Sequence, residues 1–193
     1  MMIKEIKLKD IKDIFVTDYV ANGSFKSLKE NVNEVKNGPV VMIRLVDFNN
    51  SWKGPFKYVD IESYKFLSKS SLEHGDIIIS NVGANIGTTF RAPDFDKKMT
   101  LGPNAVVLKL VDDSEVINKD FLYYYFLSPK GQYLLNSISG GSAQPKFNKT
   151  DLRNLLLEVP NLSIQKKISS ILLSIDKKIE LNQKMNETLE EIA

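Results

Sequence analysis

The stretch "GDIIISNVGANIGTT", residues 75–89, is a β-branched run that enters a turn of Gly, Ala and Asn and then resumes as "IGTTFRAP" up to Pro93. Two nucleotide-binding folds open in a similar way, and the spacing excludes both. A phosphate loop needs Gly-x-x-x-x-Gly-Lys-Ser/Thr, so that backbone amides and one lysine surround the phosphates; "GANIGTT" has no lysine, and Gly83 and Gly87 are four residues apart. A dinucleotide fold needs three glycines with a helix behind them, whereas a β-branched strand follows here. The stretch therefore predicts two strands joined by a tight connection. Gly83 and Gly87 supply its backbone freedom, and Asn81, Asn85 and Thr88 present short polar groups.

Outward from this hairpin, "VVMIRLVDF" (40–48), "DIIIS" (76–80) and "NAVVLKL" (104–110) read as strands, being short β-branched runs bounded by Gly, Pro or Asn. "NKDFLYYYFLSPKGQYLLNSI" (118–138) reads as two helical segments, broken where Pro129 and Gly131 interrupt the apolar spacing. Residues 1–160 are thus expected to form one mixed α+β domain. Polar loops lie at "NNSWKG" (49–54), "APDFDKK" (92–98) and "SGGSAQPKFNK" (139–149), and polar loops on a rigid scaffold are where recognition residues sit.

After Pro160 the period changes. Ile164, Ile168, Ile171, Ile175, Met185, Leu189 and Ile192 keep steps of three and four, a heptad seam whose middle falls on Lys178 and Asn182, with Ser163 placed to cap the first turn. Residues 161–193 are expected to form one coiled-coil helix of about 30 residues, about 45 Å long, against a domain roughly 30 to 40 Å across. Part of the seam then needs another helix. The last residues, "ETLEEIA", carry acids where the helix dipole disfavours them and no closing glycine, which suggests a helix that continues in a longer chain.

Composition excludes several chemistries. The 193 residues include no cysteine, so there is no disulfide, zinc-thiolate site, iron-sulfur cluster or cysteine nucleophile. No window is apolar enough for a membrane span and the N-terminus offers no apolar signal, so a cytoplasmic protein without a membrane partner is expected. A formal charge of +2 leaves any basic surface local. His74, the only histidine, stands in "LEHGD", an expected surface turn poorly placed for a Ser-His-Asp arrangement. "DIESYK" (60–65) lacks the Glu-x-Lys spacing of a nuclease metal site, and no Pro-Pro pair exists for adenine methyl transfer. No catalytic residue, metal site or cofactor is assigned. What remains is a set of nucleic-acid contact candidates in or beside loops: Asn22, Lys26, Arg44, Asn49, Lys53, Asn81, Asn85, Arg91, Gln144 and Lys146. Arg can bridge guanine, Asn and Gln can bridge adenine, and Lys neutralises phosphate. Singly, each is a common surface residue; their concentration in loops carries the idea.

The chain resembles one half of a type I restriction-modification specificity subunit along essentially its whole length. The resemblance rests on "DYVANGSFKSLKENV" (18–32), "MIRLVDFNN" (42–50), "LEHGDIIISNVGANIGTT" (72–89), "MTLGPNAVVLK" (99–109), "SGGSAQPKFNKTDLRNLLLEVP" (139–160) and "IQKKISSILLSIDKKIELNQKM" (164–185), in that order. It implies a target recognition domain over residues 1–160 that binds double-stranded DNA, followed by a spacer helix that packs antiparallel against a second copy through Ile164, Ile168, Ile171, Ile175, Met185 and Leu189. It also implies no catalysis in the chain itself, and partnership with modification subunits, which use S-adenosylmethionine, and with restriction subunits. Complete family members have two recognition domains and two helices; this chain has one of each, as a homodimerising half-subunit or as part of a longer one would. The rival readings are a protein-interaction module that assembles a complex through the same helix, and an enzyme with an unrecognised site.

Overall fold

The computed structural model describes residues 3–111, 114–141 and 144–192. The fold is mixed, with eleven strands in three sheets among the described residues and a long C-terminal helix. Strands β1 (Ile3–Lys7) and β11 (Leu156–Pro160) form an antiparallel ribbon. A four-stranded antiparallel sheet has the order β2 (Ile14–Asp18), β10 (Ala105–Leu110), β7 (Ile77–Ser80), β8 (Thr89–Arg91). A five-stranded sheet has the order β3 (Glu34–Val35), β5 (Lys57–Val59), β4 (Val40–Ile43), β9 (Lys98–Leu101), β6 (Ser71–Leu72), with β4 and β9 parallel.

Side-chain alternation stacks these elements in four layers. Ile77, Ile79, Val106 and Leu108 face a core shared with Phe121 and Phe126 of α4 (Lys119–Leu127), Leu135 of α5 (Pro129–Ser137) and Leu152 of α6 (Lys149–Arg153). Their neighbours Ile78, Val107 and Phe90 point the other way, onto Val41, Ile43, Met99 and Leu101 of the second sheet. Val40, Met42 and Val59 turn outward again, to Leu28 of α1 (Phe25–Asn31) and to Leu67, which follows α3 (Ile61–Phe66). Strands covered on both faces need no polar alternation, which is why "IIIS" reads as a continuous apolar run. Each fully buried residue of this kind contributes about 1.5–3 kcal/mol of burial.

Strand register fixes where the loops go. Ile43 pairs with Leu101, Ser80 with Ala105 and Asp18 with Val106, so the exits of β2, β4, β7 and β9 lie at one end of the stacked sheets. The turn between β7 and β8 is the expected hairpin connection, with Gly83 and Gly87 at φ of 90° and 85°. One strand is shorter than its sequence suggests. The run 40–48 leaves the sheet at Ile43 and becomes helix α2 (Leu45–Asn49), because buried Asp47 accepts the Arg44 amide at 2.8 Å and opens a helix at that point.

The break in 118–138 falls at Ser128, whose hydroxyl accepts from the Gly131 amide at 3.2 Å, with Pro129 opening α5. Helix α7 (Leu162–Ile192) starts two residues earlier than a Ser163 cap requires; Asn161 is the cap, its Oδ1 accepting from Ile164 N at 3.1 Å.

Gly131 is the tightest steric point of the α4–α5 joint: a Cβ there would lie 2.0 Å from the Tyr125 carbonyl oxygen. Gly131→Ala must therefore spread two helices apart, and urea denaturation should show a loss of about 3 kcal/mol or more. Gly140→Ala, where a Cβ would meet nothing within 4 Å, should change the midpoint little.

Candidate nucleic-acid interface

Two loops and the β9–β10 connection meet at the shared end of the sheets. In the turn after β7, Gly83 N donates to Pro145 O at 2.9 Å, and Phe147 N donates to Asn81 O at 3.1 Å, so the 81–88 turn and the 140–147 loop are held together. Asn81 N also donates to Asn104 O at 3.1 Å, joining the β9–β10 connection to the same cluster. Lys146 closes the 140–147 loop on itself by exchanging backbone bonds with Gly140; Ser142 and Ala143 of this loop lie outside the described residues. A third loop follows α2 and is tied by Asn50 Nδ2 donating to Gly54 O, with Phe48 stacked on Phe90 at 4.7 Å between ring centroids and Trp52 set beside both rings.

The ten candidate contact residues divide by what their side chains already do. Lys53, Asn85, Gln144 and Lys146 are exposed on these loops, and Asn49 is exposed at the end of α2. Neither Lys53 nor Lys146 has an ion-pair partner among the described residues, so their charges are available to a ligand. Lys26 is 84% exposed on α1, 3.9 Å from Glu30, a pairing that solvent makes weak.

Asn22 and Asn81 are engaged inside the protein. Asn22 donates to Tyr19 O and Ser70 Oγ and accepts from Lys69 N, at 2.8 to 3.0 Å. Asn81 Nδ2 donates to Phe147 O at 2.9 Å, so it fastens two loops together. Arg44 holds Asp47 by two side-chain bonds, of 3.1 and 2.6 Å, and reaches Pro55 O at 3.2 Å. It therefore braces the 49–55 loop.

Arg91 lies away from the cluster. Its register opposite Ile77 puts it at the other end of β8, where its guanidinium stands 4.2 Å over the Tyr123 ring and 2.8 Å from Asp120. Four further basic residues of the loops and strand ends are also engaged: Lys57 with Glu34, Lys97 over Tyr58, Lys98 over Tyr64 and Lys149 with Asp18.

Apolar groups that loop composition did not flag are exposed on the segments that follow β2 and β4. Val20 in the turn after β2, Val46 in the first turn of α2 and Phe25 at the start of α1 are all largely exposed. Groups of this type contact thymine methyls in DNA interfaces.

The long helix docks by an unexpected face. Gln165 and Ser169 are its buried residues, while Ile168, Ile171, Ile175, Met185 and Leu189 are exposed and Ile164 is half-buried. Beyond Asp176 every described residue is exposed. An open groove separates Trp52 and Lys53 from Glu180, Gln183, Lys184 and Glu187 of this distal half.

His74 is exposed in its turn, and among the described residues no group of three or more His, Cys, Asp or Glu is arranged to hold a metal ion. No helix of the described residues is long and apolar enough to cross a membrane. Burial pushes the Asp76 carboxyl up, opposed by the Glu73 amide and then by Lys109 and Lys119. Asp76 lies just before β7, at the end opposite the 81–88 and 140–147 loops.

Comparison with known proteins places this arrangement in a family. The chain is 29% identical over 194 residues to the MjaIX specificity subunit of Methanocaldococcus jannaschii, covering 98% of this chain and 42% of that protein. It is 29% identical over 166 residues to the HindI specificity subunit of Haemophilus influenzae, covering 80% of this chain and 34% of that protein. Thus it spans less than half the length of these curated relatives. In fold it matches the S subunit of a type I restriction-modification system from M. genitalium, with a TM-score of 0.59 at 17% identity, over 93% of this chain and 40% of that one. The HsdS subunit from Thermoanaerobacter tengcongensis gives a TM-score of 0.56 at 20% identity, over 93% and 38%. With residues 3–191 matched by the family model for the type I restriction modification DNA specificity domain, the chain belongs to that family.

Proposed function

We propose that this chain is a non-catalytic DNA-reading half of a type I specificity subunit, in which residues 1–160 are the target recognition domain. Its contact surface is the cluster of loops at the shared end of the two large sheets. The observation that carries the reading is that strand register and backbone bonds bring the 81–88 and 140–147 loops together at one end, with Asn85, Gln144 and Lys146 exposed on them, and that Lys53 is exposed on the loop that follows β4 and α2. Lys53 and Lys146 position the phosphates, and Asn49, Asn85 and Gln144 address base edges. Arg44 and Asn81 brace the 49–55 and 140–147 loops, while Asn22 ties the 19–22 turn to Lys69 and Ser70.

The wider role follows from the family. The chain directs methylation and cleavage by modification and restriction subunits, which carry the chemistry, while it selects the sequence. A domain of this size reads only a few base pairs, so useful specificity calls for a second one at a fixed separation. The exposed seam of Ile168, Ile171, Ile175, Met185 and Leu189 supports an antiparallel pairing of α7 with the helix of a second copy, or with the other half of a longer chain. The interaction-module reading shares the seam but leaves the exposed Lys, Asn and Gln of the loops without a role.

Fluorescence anisotropy on a mixed-sequence duplex tests the surface. Lys53→Ala and Lys146→Ala should each weaken binding and flatten the salt slope by about one unit. Their unfolding midpoints should not move. Unchanged affinity and slope in both variants would place the DNA surface elsewhere.

Arg44→Ala is expected to differ in kind. It leaves the buried Asp47 carboxylate without its partner, and a loss on the order of 3 kcal/mol should appear in unfolding.

Pairing is tested separately by sedimentation equilibrium. Ile171→Asp with Ile175→Asp places like charges in the seam and should give a monomer that keeps the domain fold, where the parent is a dimer at tens of micromolar as an order of magnitude.

A further inference from the structure

Helix α7 is fastened to the domain at two separated points. At the first, Gln165 is fully buried: its Oε1 accepts from Asn118 N at 2.9 Å, and its Nε2 donates to Val116 O at 3.1 Å and Pro160 O at 2.8 Å. With three partners, the side chain cannot turn without stranding a buried polar group, and the helix start is held like a pivot. At the second, Tyr124 Oη donates to Asp176 Oδ2 at 2.5 Å. Between them Ser169 is buried and Leu172 and Leu173 are half-buried, so the apolar contact on this face is partial and the two polar fastenings add direction to it.

Tyr124 is itself held. Arg91 lies between the two tyrosines, 4.2 Å from the Tyr123 centroid and 5.7 Å from that of Tyr124, and pairs with Asp120 one turn earlier in α4. Arg91 closes strand β8, which starts at the 81–88 turn. A continuous path therefore runs from a loop of the candidate interface through β8, Arg91 and Tyr124 to Asp176 of the long helix. Burial, and then the Asp176 carboxylate, push the Tyr124 phenol up, so it stays a donor throughout the ordinary pH range.

We propose that Tyr124 and Asp176 form a strap which, with Gln165 as pivot, sets the direction in which α7 leaves the domain, making both of them positioning residues for the spacing between two DNA half-sites. This rests on the DNA-reading function proposed above. The geometry gives the strap leverage. Asp176 lies about 16 Å along the helix from Gln165, and Ile192 about 40 Å, at 1.5 Å per residue. A tilt of about 10° about the pivot then moves the far end by about 7 Å, close to two base-pair steps of about 3.4 Å. Two base pairs are about a fifth of a helical turn, enough to carry a second domain away from its groove.

The first test needs no DNA. The chain has no cysteine, so Lys29→Cys and Asn186→Cys, both at exposed positions, can carry a spin-label pair in the full chain, diluted into unlabelled protein so that only distances within one chain are read. Tyr124→Phe and Asp176→Ala should widen the distance distribution about twofold or more, whereas Asp176→Asn, whose amide oxygen still accepts from the phenol, should keep the parent width. Unchanged widths in Tyr124→Phe and Asp176→Ala would overturn the strap whether or not DNA binds.

The second test uses bipartite duplexes recovered by the parent protein from a random pool. Changing the spacer by two base pairs should cost the parent on the order of 100-fold in affinity and Tyr124→Phe less than about tenfold, while a single half-site duplex is bound equally by both. A wider distance distribution without this relaxed spacer preference would overturn the role in spacing. If the parent recovers no duplex, the DNA-reading function and the positional role both fail, while the spin-label widths still decide the strap.

Discussion

Burial of β7 and β10 on both faces is the constraint on which the rest of the molecule depends. Ile77 and Ile79 face one core and Ile78 faces another, and Val106 to Leu108 alternate in the same way. Neither face of this sheet is left for polar function, so only the strand ends can carry it. Pairing of Ser80 with Ala105 in one sheet and of Ile43 with Leu101 in the other, with only residues 102–104 between β9 and β10, brings these strand ends together. Loops far apart in sequence converge there, and the bonds from Asn81 and Gly83 to the 145–147 segment hold them as one surface.

This arrangement explains what was legible in the sequence. The 75–89 hairpin could be read because its apolar run and its two glycines act locally, and the helix break near Pro129 because proline and a capping serine act locally. The seam of α7 was equally plain, its period surviving over many residues. The end of β4 was missed because an apolar run hid a helix start. Arg44 and Asp47, three residues apart, carried that signal in the position of an acid that closes onto a helix N-terminus.

The roles of individual side chains were harder to read. Asn22 and Asn81 are held by partners at residues 70 and 147, and Arg91 by aromatic rings of α4. Composition cannot separate such a residue from an exposed one, since the difference lies in contacts made across the fold. Helix α7 departs from the usual pattern: its fully buried residues are Gln165 and Ser169, with Leu172 and Leu173 half-buried beside them and Asp176 bonded to Tyr124, while Ile168, Ile171 and Ile175 point outward. A polar docking face stays soluble when undocked and sets direction through hydrogen bonds, while an outward apolar stripe invites another helix.

On the proposed function, the loops form a reading surface whose separation from a second one is fixed by the helix. Selection of tightly bound duplexes from a random pool, followed by sequencing, tests it most directly. The account predicts enrichment of a bipartite site, palindromic if two copies pair, with one spacer length and half-sites about one helical turn apart, on the order of 10 bp centre to centre. Enrichment of a single short motif with no preferred spacing, or no enrichment at all, would contradict it.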